Sequence, residues 1–397
     1  MKILILCRSM PWRLAGGLER HAWDLARGLA RRGDETHILT TRADPASPPP
    51  PPPPNIVIHE IETGSPGEYS IGAFRAFARQ AAALDCRHRF DVFHSQGFAA
   101  FAFPRSLSRR LAATIHGTLT SETPLHRDDF RAAPWSRKAW LLWRYKARLA
   151  SYPLYRRLLG MSRVLLVDSE FTRRELIRPR PGLDRKIRVV PLGVHPDSAP
   201  PALERRPRAE GEPLRFLTVG RMTEAKGVDV ALEALGRLPR SGWLWRAAGA
   251  GPALEALRAR ADALGLAGMA QFLGPLEDAA LRRLYAESDL FIYPERGRPA
   301  FGLVGLEAQL AGLPVVASDR GAIPEVIRPD VGWIVPAENP AALAERLRSI
   351  LEHPEELREK AARCRAAALR RFGYEAMIEG ARAALREAAR GEAGAPA

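Results

Sequence analysis

Residues 214–235 read LRFLTVGRMTEAKGVDVALEAL. An apolar run, Leu214–Val219, passes through Gly220-Arg221 and Lys226-Gly227 into a helical pattern that begins near Val228. A strand that turns through glycine into a helix is the repeating step of an α/β sheet with parallel strands.

The same step recurs on both sides of this stretch. Upstream, strand patterns fall at Lys2–Cys7, Glu35–Thr41, Ile56–Ile61, Val92–His94, Ala112–His116, Val164–Ser169 and Val189–Leu192, with helices near Leu18–Arg32 and Phe74–Leu84. Downstream, strands fall at Trp243–Ala248, Gln271–Leu273, Leu290–Tyr293, Pro314–Ala317 and Gly332–Val335, with helices near Ala231–Leu238, Ala253–Leu264, Asp278–Ala286 and Leu303–Ala311. The fold class is therefore α/β: two Rossmann-like, doubly wound parallel-sheet domains in tandem, facing a central cleft. At 397 residues and 46% hydrophobic content the chain can fill two cores.

The expected division is 1–195 for the first domain and 213–373 for the second, with a polar connection near Val194–Pro213. Pro48 through Pro54 cannot donate ladder hydrogen bonds and read as a surface loop between two strands. Residues 391–397 read as a disordered tail.

Composition excludes several function classes. Cys7, Cys86 and Cys364 lie far apart and form neither a disulfide framework nor a thiolate zinc pair. The run Ile3–Cys7 is too short for a signal-peptide core, and no segment approaches the roughly 18 apolar residues of a membrane span. A cytoplasmic protein is expected. The net charge of +15 sets a field that attracts anions, yet no helix-turn-helix, zinc-finger or RNP pattern points to nucleic acid. Residues 134–160 mix Trp135, Trp140, Trp143, Tyr145, Tyr152 and Tyr155 with arginine and lysine. That composition suits either an interfacial helix on an anionic membrane surface, on its inner face, or a helix packed on the first domain with a solvated basic side.

In doubly wound sheets ligands gather at the carboxyl ends of strands. Gly16-Gly17 follows the first strand, where glycine lets a phosphate approach a helix N-terminus; a tight turn without ligand is the other reading. No G-x-G-x-x-G follows that strand, which argues against a nicotinamide-dependent oxidoreductase. Gly220-Arg221 and Lys226 set two cations on one strand-to-helix loop, suited to a diphosphate unless both are solvated surface charge. A third loop runs from Pro294 through Glu295, Phe301 and Gly302 into a helix. The amides of Leu303 and Val304 can hold phosphate oxygens there, and Glu307 can accept hydrogen bonds from ribose hydroxyls or form a helix-start salt bridge. His116 stands at the end of a strand, either a polar contact or a structural histidine.

These residues carry a resemblance. Gly16-Gly17-Leu18-Glu19-Arg20, Asp91-Val92-Phe93-His94-Ser95, His116-Gly117, Val167-Asp168-Ser169, Val190-Pro191-Leu192-Gly193-Val194, Gly220-Arg221 with Lys226-Gly227, Gly249-Ala250-Gly251-Pro252, and Phe301–Glu307 leading to Gly312-Leu313-Pro314-Val315-Val316-Ala317 follow in order. Together they resemble glycosyltransferase family 4, whose members have the GT-B fold and transfer sugar with retention of configuration.

The resemblance implies a nucleotide-diphosphate sugar as donor substrate, with no separate cofactor, and a glycan or lipid-linked acceptor. It implies Arg221 and Lys226 on the diphosphate, Leu303 and Val304 on the phosphates, Glu307 on the ribose, Gly17 lining the cleft and His116 facing the sugar. It also implies that a last helix, 374–389, packs back on the first domain. The Asp-x-Asp pair that metal-dependent enzymes of the other common fold use occurs nowhere, so no catalytic metal is expected.

One departure stands out. The family commonly carries a glutamate eight positions before the one matched by Glu307, and that position is Pro299. Glu295, four residues earlier, is the candidate substitute, and a non-catalytic partner subunit is the alternative that Pro299 motivates.

Overall fold

The computed structural model describes residues 1–14, 16–42, 50–61, 70–118, 152–195 and 211–390. It divides into two compact units: Met1–Gly193 with the helix Tyr374–Ala389, and Val194–Gly373. Pro48 and Pro49, residues 134–151, the middle of the interdomain connection and the tail from residue 391 lie outside the described residues.

Among the described residues the first unit holds seven strands: β1 (Lys2–Leu6), β2 (Glu35–Thr41), β3 (Ile56–Ile61), β4 (Val92–Gln96), β5 (Leu111–Ile115), β6 (Val164–Val167) and β7 (Ile187–Val189). Their order is β3-β2-β1-β4-β5-β6-β7, and every pair is parallel. Period-two alternation sends Leu4, Leu6 and Leu39 to one face and Ile3, Ile5 and Ile38 to the other. The first face packs on Phe74, Phe77, Ala81 and Leu84 of the helix Ile71–His88. The second packs on Leu25 and Leu29 of the helix Gly17–Arg31 and on Met377, Ile378 and Leu385 of the helix Tyr374–Ala389.

The helix 152–161 turns Tyr155, Leu158 and Leu159 into the first of these cores, while Tyr152 stays exposed. Tyr155 is thus a packing residue, which weakens the lipid-facing reading for this part of segment 134–160. Pro50, Pro51, Pro52 and Pro54 lie outside any strand and are exposed, between β2 and β3.

The second unit holds β8 (Leu214–Val219), β9 (Trp243–Ala248), β10 (Ala270–Gly274), β11 (Leu290–Tyr293), β12 (Val315–Ser318) and β13 (Gly332–Val335), in the order β10-β9-β8-β11-β12-β13, all parallel. Each sheet reverses its winding once, between β1 and β4 and between β8 and β11. At such a point two strand-to-helix loops diverge from neighbouring strands and leave room for a ligand.

Two differences from the sequence reading are informative. The seventh strand is Ile187–Val189 rather than Val189–Leu192, because the ladder to β6 ends where Val190 donates to Val167. The helices Pro340–Glu352 and Pro354–Arg371 are additions to the sequence reading: proline opens each at a position that needs no N–H, the first buries Leu343, Leu347 and Ile350 along one face, and the second is rich in alanine and arginine.

The helix Tyr374–Ala389 is fixed to the first unit by polar as well as apolar contacts. Tyr374 donates to the Asp24 carbonyl at 2.7 Å, and Arg188 reaches Glu387 with two nitrogens. Asp34, with no exposed side-chain surface, accepts from the Met1 ammonium at 2.7 Å and from Arg382 Nε at 2.7 Å. Burial alone would raise the Asp34 carboxyl, but the hydrogen bonds from Arg382 and the N-terminal amine, with their charges, hold it below its ordinary value.

A carboxyl depressed in the folded state stabilises above its unfolded pKa and loses that contribution as pH falls through the folded one. Asp34→Asn therefore lowers the unfolding free energy by about 3 kcal/mol at neutral pH, as expected for breaking one side of a buried pair. Urea melts measured down the acid range should show the gap between wild type and variant closing as Asp34 takes up its proton.

Candidate functional site

In the second unit the two loops at the winding reversal lie against each other. After β8 the chain passes Gly220 and Arg221 and forms a short 3-10 turn, Glu224–Lys226, before the helix Val228–Leu235. After β11 it passes Pro294–Phe301 into the helix Leu303–Leu310. The Ala225 carbonyl accepts from both the Arg296 and Gly297 amides, at 2.8 and 3.0 Å. Arg296 then grips Asp229 with two nitrogens, at 2.9 and 2.6 Å.

This stitching depends on Gly227. Its φ of 62° is left-handed, and a Cβ there would lie 1.9 Å from the Pro294 carbonyl oxygen. Only glycine allows both the turn and the approach.

The result is a lysine delivered to a buried carboxylate. Lys226 Nζ donates to Glu295 Oε2 at 2.7 Å; the lysine side chain keeps a third of its surface, whereas that of Glu295 is 3% exposed. Glu295 Oε1 accepts from the Gly297 amide at 3.3 Å, and Ser318 Oγ donates to the Glu295 carbonyl at 2.6 Å. Tyr293 lies beneath: burial, then the Glu295 charge and hydrogen bond, push its phenol well above the ordinary range, so it is a neutral donor. The Tyr293 ring also supports Gly302, the N-cap of the Leu303–Leu310 helix. One connected set therefore joins Lys226, Glu295, Tyr293 and that helix start.

The other candidates of this unit take the following positions. Gly220 stands beside the Lys226 side chain. The Arg221 side chain is exposed and makes no hydrogen bond or ion pair among the described residues, so its charge is available. The Leu303 and Val304 amides precede Gly305, the first donor back to Gly302, and both residues are partly exposed. Glu307 is half-buried, with the Tyr285 hydroxyl 3.5 Å from its Oε2. The Phe301 side chain is buried edge-on against Phe372, leaving its backbone as the part that can face a ligand. Pro299 is pinned by its carbonyl, which accepts from Ala322 at 2.9 Å.

In the first unit the carboxyl ends of β4, β5 and β6 supply Gln96, His116 and Asp168. His116 Nδ1 donates to Asp168 Oδ2 at 2.9 Å, and its Nε2 lies 2.8 Å from Gln96 Oε1. Both ring nitrogens are thus engaged, and the ring orientation is fixed from two sides. Gly16 caps the helix Gly17–Arg31, and His21 on that helix packs edge-on against His116 with centroids 4.9 Å apart. Burial, followed by the charges of His116 and His94, pushes His21 well below its ordinary value; burial and His116 push His94 down to about 3. His21 Nδ1, His94 Nδ1 and Gln96 Nε2 are buried with no hydrogen-bond partner among the described residues, a concentration of unsatisfied polar atoms that is uncommon away from functional sites.

Sequence reasoning singled out His116 but not its partners. Asp168 lay in a quoted motif, and Gln96 ends the strand after another; what was missing was the order β4-β5-β6 that makes them neighbours. Asp229 and Tyr293 likewise carried no pattern of their own.

Two family models and several known proteins match the chain. Residues 15–198 match the glycosyltransferase family 4 model, and residues 201–371 match that of glycosyl transferases group 1. D-rhamnosyltransferase WbpZ of Pseudomonas aeruginosa is 27% identical over 376 residues, 90% of this chain and 89% of that protein. Phosphatidyl-myo-inositol mannosyltransferase of Mycobacterium leprae is 29% identical over 392 residues, 94% of this chain and 93% of that protein. Among solved structures, Anabaena HepE in complex with UDP and glucose superposes with a TM-score of 0.69 at 19% identity, covering 97% of this chain and 99% of that one. With both halves matched by glycosyltransferase models and both sheets laid out in the same fold, this chain is a GT-B glycosyltransferase of the family 4-like type.

Proposed function

We propose that the chain transfers a hexose from a nucleotide-diphosphate sugar to a hydroxyl of a glycan or lipid-linked acceptor, with retention of configuration and without a catalytic metal. The observation that carries this reading is the pair of cations on the loop after β8: the Arg221 side chain exposed and without an ion pair among the described residues, Lys226 held by buried Glu295.

The chemistry follows from charge. As the bond between the anomeric carbon and the diphosphate oxygen breaks, negative charge grows on the leaving group. Arg221, Lys226 and the Leu303 and Val304 amides stabilise it, and this is the largest catalytic contribution. The acceptor hydroxyl bonds to the anomeric carbon on the face the diphosphate leaves, and a departing phosphate oxygen takes its proton. Glu307 holds the ribose. Glu295 acts as a positioning residue for Lys226, and within the first unit His116 is braced by Asp168 and Gln96.

The donor class is supported by HepE, which was solved with UDP and glucose, and a lipid-linked acceptor by the name of the mannosyltransferase relative. Cation charge on Arg221 and Lys226, with no Asp-x-Asp pair in the sequence, supports transfer without a divalent ion.

A panel of nucleotide sugars, read by NMR of the product, should give one accepted donor and an anomer unchanged from it, in the presence or absence of a chelator. An inverted anomer or a divalent-ion requirement overturns the mechanism. Lys226→Ala should lower turnover by about 10²–10³-fold, the usual effect of losing one transition-state charge contact. Glu295→Gln should raise the donor KM as well as lower kcat, because it releases Lys226 without removing its charge. No transfer by the wild type with any donor, despite nucleotide binding, would favour the non-catalytic reading.

Gly227→Ala and Gly242→Ala separate geometry from stability. Both glycines are left-handed, but Gly242 has nothing within 4 Å of its added Cβ. Each substitution costs about 1–2 kcal/mol of stability from the backbone conformation alone. Only Gly227→Ala should also cost about a hundredfold in turnover, since displacing Pro294 moves Glu295 and Lys226.

A further inference from the structure

At the opposite, amino edge of the first sheet three histidines from three elements converge. His37 stands on β2, His59 on β3 and His88 at the end of the helix Ile71–His88. The register pairs Leu39 with His59, so His37, two residues earlier, points to the same face and lies diagonally across from it. The helix covers that face and brings His88 over the pair. One ligand atom from each ring lies within 4.8 Å of the other two, and the ring centroids are 4.5–5.8 Å apart.

The hydrogen bonds fix which nitrogens face inward. Glu35 Oε1 accepts from His37 Nε2 at 3.0 Å, leaving His37 Nδ1 as a lone pair, and His59 Nε2 donates to that lone pair at 2.8 Å. A carboxylate on the far nitrogen of a buried imidazole is the outer-shell arrangement that orients histidine on a metal. Lys2 is drawn off by the same glutamate, its Nζ 3.2 Å from Glu35 Oε2. The Phe90 ring packs against both His37 and His88 and walls one side.

We propose that His37, His59 and His88 bind one divalent transition ion of the zinc class, with water completing a tetrahedral set. Three imidazole nitrogens suit Zn²⁺ and its neighbours Co²⁺, Ni²⁺ and Cu²⁺, not Mg²⁺ or Ca²⁺. Nitrogens about 2.0–2.1 Å from zinc lie about 3.3 Å apart, so the His37–His59 pair opens slightly and His88 closes in. The shared hydrogen of His59 passes to its other ring nitrogen as the ion enters. The ion clamps the outer strands β2 and β3 to the covering helix, a structural role at the far edge from Gln96, His116 and Asp168.

The test uses untagged full-length protein freed of metal by chelation. Titration with Zn²⁺ should show one equivalent bound and raise the melting temperature; Co²⁺ should give the visible absorption of a tetrahedral centre. His88→Gln and His59→Gln should abolish both responses while leaving the metal-free melting curve and circular dichroism of a folded chain. Glu35→Gln should weaken binding about tenfold. Cys86→Ser, which removes the exposed thiol two residues from His88, should change nothing. Absence of stoichiometric binding by the wild type, or binding that survives both histidine substitutions, overturns the site.

Discussion

The ion pair between Lys226 and Glu295 constrains the second unit more than any other contact. A carboxylate stripped of water costs several kcal/mol unless it is paired and hydrogen-bonded. Glu295 meets that demand with the Lys226 ammonium, the Gly297 amide and Tyr293. Each partner has its own requirement. Lys226 reaches the carboxylate only because Gly227 lets its turn lie against Pro294, Gly297 only because Ala225 holds its amide, and Tyr293 only because β11 runs beside β8. The helix start at Leu303 rests on the same tyrosine through Gly302. Losing one member therefore disturbs the cation, the loop and the helix N-terminus together.

The first unit uses a carboxylate to orient a histidine twice, at opposite edges of one sheet. At the carboxyl edge Asp168 is buried against His116, and at the amino edge Glu35 orients His37 against His59. Both use a carboxylate to fix a ring, but their surroundings differ. His116 stands among buried nitrogens with no partner among the described residues, whereas the His37 cluster is closed by rings and a helix end. The first arrangement leaves polar atoms without a partner among the described residues; the second joins two of its ring nitrogens by a hydrogen bond.

Much of this was legible in the sequence because it is local. The alternation of strands and helices, the glycine-cation loop after Val219 and the helix start at Leu303 each depend on residues within a few positions of one another, and all have their counterparts in the structure. What could not be read is tertiary. Nothing in the spacing links Lys226 to Glu295 across 69 positions, or His116 to Gln96 and Asp168; the pairs exist because β8 neighbours β11 and because β4, β5 and β6 are consecutive. The three histidines went unread for the same reason. Their spacing of 22 and 29 residues matches no ligand motif, and only sheet register and helix length bring them together. Phe301 shows the reverse limit: its motif position is clear, but its ring serves the core.

The departure at Pro299 is best understood through Glu295. The loop after β11 keeps one buried carboxylate, but near the strand end, where its oxygens face Lys226 and the Gly297 amide. Pro299 contributes a fixed φ and a carbonyl anchored to Ala322, which stiffens the loop without a side-chain acceptor. In the proposed reaction Glu295 sets the cation that receives leaving-group charge, and with no carboxylate at position 299 the donor sugar is left to backbone groups of the loop. Backbone groups read shape and hydroxyl direction rather than supply charge. In the proposed reaction, discrimination between donor sugars would then rest on the path of that loop, which is held by its packing against Gly321, Ala322 and Phe372.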